Sequence, residues 1–599
     1  MSAVIIEGRS IGNRKPWLLP KNCRPNASPL QLSLNTAVMD FNRYFTNEEL
    51  ESVIQEWAKA YPDYLSLKQI GTSHKGAAIW VLIITNQATG ADTDKPAVWL
   101  DANIHATELA GTTTVLHIVH TLLTTYGSDD RTTRILDNCT CYVVPRINPD
   151  GAAMAMAATP QYYRSGVRPY PYEEKAEGLH RQDVDGDRRI LQMRIPDPSG
   201  AWKISSLDPR LMEKRAPDEH GGTYYHLLPE GLLEDFDGTL VKVARPLAGL
   251  DFNRNFPFEW RSEAEQLGAG PYPGSEPEIK ALIDFIVAHP NINFAITYHT
   301  YSGVILRPHG TKPDEEMDTD DLWVYKKIGD RGSQLTGYPC ISVYHDFRYH
   351  PKEVISGVFD EWMYDRFGAF AFTIELWNPM QQAGIKVDKF IDWYRDHPHE
   401  HDLKILQWFD ENVGSEAFVP WYPFEHPQLG KIELGGWNSL YTWRNPPPKL
   451  MGEEAAKNTP FALALGDMLP HLTIHTLEVT SLGNDNYRVK LVVENTGFLP
   501  TYTSQQGKKR QSARPVIVEL ELPEGVKLLS GKRRTELNHL EGRSNKVNLM
   551  GFGDSYYTPN PTDNRALAEW VIQSQSKTII SLNVKSDRAG ILRRKFELV

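Results

Sequence analysis

Apolar positions along this chain follow two rhythms, and the switches between them mark out its elements. Residues 47–58 form an acid-led run with helical spacing, and residues 65–70 and 77–84 alternate as strands about a turn at Gly71, Ser73 and Gly76. Residues 95–104 begin as a buried strand, after which Val115, Leu116, Val119, Leu122 and Leu123 fall on one helical face. With a further strand over 139–146, this is a β-α-β unit. It predicts an α/β domain with a mixed, largely parallel sheet and helices on both faces. The periodicity fails at about 152–248, a stretch of Pro, Tyr, Arg and Asp read as an insertion folded over one edge. It returns as a helix over 276–288, a strand and turn over 294–306, a helix over 320–335, a strand over 369–376 and a helix over 389–412. Residues 415–450 are aromatic and Pro-rich, ahead of a short helix over 453–469. Strand-like alternation then covers 473–480, 487–494, 516–522, 578–584 and 592–598.

These switches divide the chain into an irregular N-terminal arm (1–44), the α/β domain (45–414), a linker and packing segment (415–470) and a C-terminal β-sandwich (471–599). At 599 residues, several cores are expected. The net charge of -12 and the lack of a long basic run argue against nucleic-acid or anionic-membrane partners. No apolar run is long enough to span a bilayer, and Val4 to Ile6 is too short for a signal-peptide core, so a cytoplasmic protein is expected. Four cysteines without Cys-x-x-Cys spacing (Cys23, Cys139, Cys141 and Cys340) read as buried or idle thiols.

The candidate chemistry collects at strand ends. His105 and Glu108 lie where the strand at 95–104 gives way to a helix, and imidazole with carboxylate suits Zn²⁺. The bland reading of the same pair is a helix N-terminus with Glu complementing the dipole. A catalytic zinc needs a third ligand, and His299 closes the apolar run Asn293-Phe-Ala-Ile-Thr-Tyr-His. Glu375 closes Ala369-Phe-Ala-Phe-Thr-Ile-Glu, and a carboxylate there calls for a metal, an Arg or a catalytic role. Asn253 with Arg254 offers a fork for a substrate carboxylate. Asp183, Asp185 and Asp187 alternate as in a calcium loop, but Arg188 and Arg194 stand where an EF-hand needs Gly and Glu. An Arg-paired acidic turn is the preferred reading.

In order, His105-Ala-Thr-Glu108, Asn148-Pro-Asp-Gly151, Asn253-Arg254, His299-Thr-Tyr301 and Phe372-Thr-Ile-Glu375 resemble the zinc carboxypeptidase family of the pancreatic carboxypeptidases. The resemblance covers about residues 45–412. It implies one Zn²⁺ per chain held by His105, Glu108 and His299, with Glu375 as general base and acid. It also implies Asn253 and Arg254 as the anchor of the substrate carboxylate, with Tyr301 among the substrate contacts. An oxyanion-stabilising Arg is implied after the Asn-Pro motif, where Arg164 is preferred to Arg168. Asp360, fifteen residues before Glu375, falls where the family floors the pocket for the last side chain, and there resembles forms that prefer Lys or Arg. The family's mobile Tyr would land on Glu353, a departure that leaves Tyr349 or Tyr344 as substitutes.

The expectation is thus a metallocarboxypeptidase acting on peptides with a free C-terminal carboxylate, with an oligomer through the sandwich left open. The alternatives are a zinc amidohydrolase of cell-wall or acyl-amino-acid amides, or a silent binding protein.

Overall fold

The hydrophobic runs between residues 65 and 376 become one eight-stranded sheet whose central strands bury both faces. In the computed structural model, which describes residues 39–350, 352, 355–544 and 561–598, the strands are β1 (Leu65–Thr72), β2 (Ala78–Ile84), β3 (Ala97–Ala102), β4 (Thr140–Val144), β5 (Ile292–Thr300), β6 (Val304–Arg307), β7 (Cys340–Ser342) and β8 (Phe370–Leu376). Their order is β1-β2-β4-β3-β5-β8-β6-β7. The central four, β4, β3, β5 and β8, run parallel, while β2 joins β4 and β6 joins β8 antiparallel. Every residue of β3, β4 and β5 is buried, as a parallel sheet covered on both faces requires.

Helix α1 (Asn47–Ala60) starts with a capping box on Thr46 and Glu49, and α2 (Ala110–Thr125) follows β3. Gly111 lets α2 lie close to the sheet, since a Cβ there would come within 2.9 Å of Ala102 and 3.1 Å of Tyr298. Helix α3 (Pro277–Ala288) buries Ile279, Leu282 and Phe285 in the cluster that contains Trp99 and Tyr142. Helices α4 (Thr319–Thr336) and α5 (Pro448–Met468) join α2, with Phe461 packed close to Gly332 of α4.

Three expectations change. The stretch at 152–248 is an antiparallel structure: Gln192–Pro196, Trp202–Ile204, Met212–Lys214 and Tyr225–Pro229 share a six-stranded sheet with Phe418–His426 and Gly430–Trp437. The segment read as a linker therefore supplies two of that sheet's strands, and its pairing partners lie more than two hundred residues away (Glu433 opposite Arg194). The helix expected over 389–412 is two, Phe390–Arg395 and His399–Asn412, because Pro398 has no N–H to continue the first. The last region is two four-stranded antiparallel sheets that enclose one core around Val489, Leu491, Trp570 and Leu582. It includes three strands that were not anticipated, Lys527–Ser530, Arg534–Glu536 and Arg565–Gln573.

Chain contacts separate Met1–Asp40 from Phe41–Val599, and the described residues lie in the second unit apart from 39 and 40. The arm read at 1–44 falls almost wholly outside the described residues. Cys139, Cys141 and Cys340 are free thiols, and Cys23 also falls outside the described residues. Among the described residues no helix is long and apolar enough to cross a membrane.

Candidate metal centre

The loop between β3 and α2 is tied from within by the Asn103 side chain. Asn103 takes a left-handed backbone at φ 59°, which Asn tolerates better than most residues. Its Nδ2 donates to the carbonyls of His105 (2.9 Å) and Glu108 (3.1 Å). The loop so tied points His105 and Glu108 inward, both buried. The register of β5 on β8 then sets His299 directly opposite Glu375 at the carboxyl ends of adjacent parallel strands.

The donor atoms converge. His105 Nδ1 lies 3.0 Å from Glu108 Oε1, His299 Nδ1 lies 3.2 Å from Glu108 Oε2, and the two Nδ1 atoms are 3.1 Å apart. The outer nitrogens have their own partners: His105 Nε2 meets Asp251 Oδ1 at 3.2 Å, and His299 Nε2 meets the Thr297 hydroxyl at 3.3 Å. A carboxylate can only accept, so the His105 proton is assigned to Nε2, which leaves its Nδ1 lone pair facing the centre. Two imidazole nitrogens and a carboxylate at such separations have too few protons to satisfy one another. A cation with a preference for N and O ligands fits the set, and outer-nitrogen partners of this kind orient metal-binding imidazoles. Burial alone would raise Glu108, yet His105 and then His299 hold it well below the usual carboxylate range.

Around the ligands lies a cavity of about 370 Å³, lined by Arg164, Thr300, Tyr301, Phe347, Tyr349, Glu375, Tyr394, Arg395 and Arg444 among others. Burial pushes Glu375 up to about 7, partly opposed by His299 and reinforced by Glu108. The Arg164 backbone is pinned to the loop by its carbonyl, which accepts from Ala106 N at 3.0 Å. Its guanidinium binds Asp251 at 2.8 Å and stands 3.5 Å from Glu108 Oε1. Asp251 is buried, a position that would raise its pKa, but Arg164, Arg254 and His105 hold it well below its ordinary value.

The other sequence candidates sit farther back. Asn253 accepts the Phe359 N–H at 2.9 Å, and Arg254 donates to the Asn253 carbonyl at 2.7 Å and lies 3.9 Å from Asp251. Both adjoin the cavity through Asp251. Asp360 is buried beside β8, accepting from its neighbour's N–H at 3.0 Å and from the Thr373 hydroxyl at 3.3 Å. Arg168, the competitor of Arg164, is paired with Glu276 at 2.6 Å. Of the two tyrosines, Tyr349 lines the cavity, whereas Tyr344 stacks under Arg348; Glu353 lies outside the described residues. Each carboxylate of the acidic turn has a protein partner: Asp187 pairs with Arg189, Asp185 accepts from Tyr422 of the strand Phe418–His426, and Asp183 accepts the N–H groups of Gly186 and Arg188.

Sequence reasoning missed Asp251, Tyr394, Arg395 and Arg444 as parts of the site. Asp251 stands beside the Asn-Arg motif and could have been flagged as a partner for a ligand. Arg395 ends the helix just before the unforeseen break at Pro398, so only the correct helix boundary would expose it. Arg444 comes from the segment misread as a linker.

A family model described as zinc carboxypeptidase matches residues 50–392, and one described as a domain of unknown function matches residues 471–597. Carboxypeptidase A2 of Rattus norvegicus is 25% identical over 345 residues, which is 56% of this chain and 63% of that protein. Carboxypeptidase A1 of Sus scrofa is 23% identical over 357 residues, 57% of this chain and 64% of that protein. The chain therefore spans less than two thirds of the length of these relatives. Among solved structures, thrombin activatable fibrinolysis inhibitor aligns over 63% of this chain and 76% of its own at 20% identity, with a TM-score of 0.37. The carboxypeptidase A of Helicoverpa armigera aligns over 63% and 74% at 18% identity, with a TM-score of 0.37.

Proposed function

The chain belongs to the zinc carboxypeptidase family, and we propose on that footing that it hydrolyses the last peptide bond of peptides with a free C-terminal carboxylate. The observation that carries the reading is the convergence of His105, Glu108 and His299, with Glu375 opposite His299 and His105, Glu108 and Glu375 lining one cavity. Zinc held by the three ligands would supply Lewis acidity toward the scissile carbonyl and the attacking water. Glu375 takes the proton of that water and returns it to the departing amine, a role suited to a carboxylate whose pKa is pushed up to about 7. Arg164 is pre-set by Asp251 to donate to the oxygen on which charge develops. Asn253 and Arg254 anchor the terminal carboxylate, with Tyr349 and Tyr301 in the cavity wall as aromatic contacts.

The proposed preference is for Lys or Arg at the C-terminus. It is supported by Asp360, which is buried and has no Lys or Arg in ion-pair reach among the described residues. A cationic side chain would compensate that carboxylate. The test loads the full chain with zinc and offers peptides ending in Lys and in Phe, before and after chelation. Turnover that disappears with the chelator and returns with zinc is the expected result, with the Lys peptide favoured. Zinc-loaded protein that cleaves neither peptide overturns the reading, and equal rates overturn the preference alone.

A further inference from the structure

The cavity holds a cation that the proposed reaction does not use. Arg444 lies outside residues 50–392, the stretch that matches the family, and reaches the centre from the segment after the strand Gly430–Trp437. Its neighbour Asn445 fixes it there. The Asn445 side chain accepts the Ala110 N–H at 3.0 Å, at the start of α2, and donates to the Thr107 carbonyl at 2.7 Å. The Arg444 backbone is therefore fastened to the loop that carries His105 and Glu108.

The guanidinium rests on the Tyr301 ring, 5.3 Å from its centroid, and Tyr301 is edged by Tyr394 and Trp443. Nη1 lies 3.4 Å from the Thr300 carbonyl and 3.6 Å from Glu108 Oε1. Among the described residues Glu108 is its one ion-pair partner, and that carboxylate is already shared by two imidazoles and Arg164. The two arginines near Glu108 Oε1 thus differ. Both are about equally exposed, at 40% and 38%, but Arg164 has Asp251 as a dedicated partner and Arg444 has none. Arg395, in the same wall, adds a third positive charge. A planar guanidinium stacked on an aromatic ring, with spare donors facing a cavity, is arranged for a carboxylate.

Position selects which carboxylate. The Asn253–Arg254 anchor connects to the cavity through Asp251 and Arg164. A peptide held there by its terminus passes the metal ligands toward the Tyr301 wall with the residue before the scissile bond. We propose that Arg444 is a specificity-determining residue that selects substrates with an acidic side chain at the penultimate position, Glu or Asp. This inference rests on the carboxypeptidase reading for the direction of the chain.

The experiment uses the zinc-loaded full-length protein and N-acylated tripeptides Ala-X-Lys, with X as Glu, Gln or Ala. Both kcat/KM and the affinity of the Glu375→Gln protein are measured, and the Glu-to-Gln ratio is taken within each protein so that any general loss cancels. A ratio of roughly three- to tenfold is expected for a partly exposed charge pair. It should fall to about one in Arg444→Gln and return in part in Arg444→Lys, with added salt lowering it throughout. A native ratio near one, or a ratio that survives Arg444→Gln, overturns the inference. If no peptide is cleaved, the carboxypeptidase reading fails, and the affinity ratio still decides the role of Arg444.

Discussion

At the residue scale, two carboxylates beside the centre are set apart by what surrounds them. Asp251 is bound by His105 and Arg164 and held charged, whereas Glu375 is pushed toward neutrality by burial. Their substitutions should therefore fail differently. Glu375→Gln should lower kcat by about 10²- to 10⁴-fold while the protein still binds one zinc per chain, the range expected when a general base is removed. Asp251→Asn should weaken zinc binding by roughly 10- to 100-fold, because the charge that fixes the His105 tautomer is gone. Metal content after dialysis against graded chelator, set beside steady-state rates, separates the two. Equal zinc retention in both variants would contradict the assignment of Asp251 as the support of a ligand. His299 and Glu375 were legible in the sequence because each ends an apolar run in a polar side chain, and His105 with Glu108 because they mark where such a strand gives way to a helix, both local patterns. Asp251 and Arg444 were not, because what makes them part of the site is a contact with Glu108 or His105 contributed by a distant segment.

At the element scale, the wall that carries Tyr394 and Arg395 is built on the break at Pro398. His397 stacks on Trp393 with ring centroids 3.9 Å apart and meets Asp402 at 3.0 Å, while His399 meets the other Asp402 oxygen at 3.0 Å. The hydrogen bond to Asp402 raises His397 above its ordinary value against the opposing effect of burial, with Asp402, the Trp393 carbonyl and Asp396 adding to the rise. A histidine raised on folding contributes stability that is complete below its unfolded pKa, near 6.5, and fades as the pH climbs past its folded value. The junction between the two helices should accordingly loosen from pH 6 to pH 8. Hydrogen exchange over residues 390–402, corrected for its intrinsic pH dependence, should speed up across that range in the native chain and stay level in His397→Gln. An unchanged native profile would rule out this histidine as the support of the wall. The helix boundary was misjudged because apolar clusters on both sides, Phe390 to Tyr394 and Leu403 to Phe409, were joined across the polar stretch 395–402 that holds Pro398. In the same way, the strands Phe418–His426 and Gly430–Trp437 were missed because their partners belong to the insertion.

At the scale of the whole molecule, the C-terminal sheets are joined to the eight-stranded sheet at the end opposite the cavity. Arg588, fully buried, donates to the carbonyls of Ile292 and Phe367, which stand at the beginning of β5 and just ahead of β8. Asn293 donates to the Arg588 carbonyl at 2.8 Å and accepts the Thr503 hydroxyl at 2.6 Å, and Ser504 donates to the Gly368 carbonyl at 2.8 Å. These are the two strands whose far ends present His299 and Glu375. A sandwich gripping both strands at their origins is a different matter from one tethered by a flexible link, and it should unfold together with the eight-stranded sheet. Arg588→Met removes the donors from two buried carbonyls and should cost about 3 kcal/mol. In calorimetry, zinc should raise one coupled transition of the native chain, because a ligand that binds only the folded state stabilises whatever unfolds with its site. In Arg588→Met the transition should split, with zinc moving the catalytic part and leaving the sandwich where it is. Native protein that already shows two independent transitions, only one of them sensitive to zinc, would refute the coupling and reduce the terminal domain to a passenger.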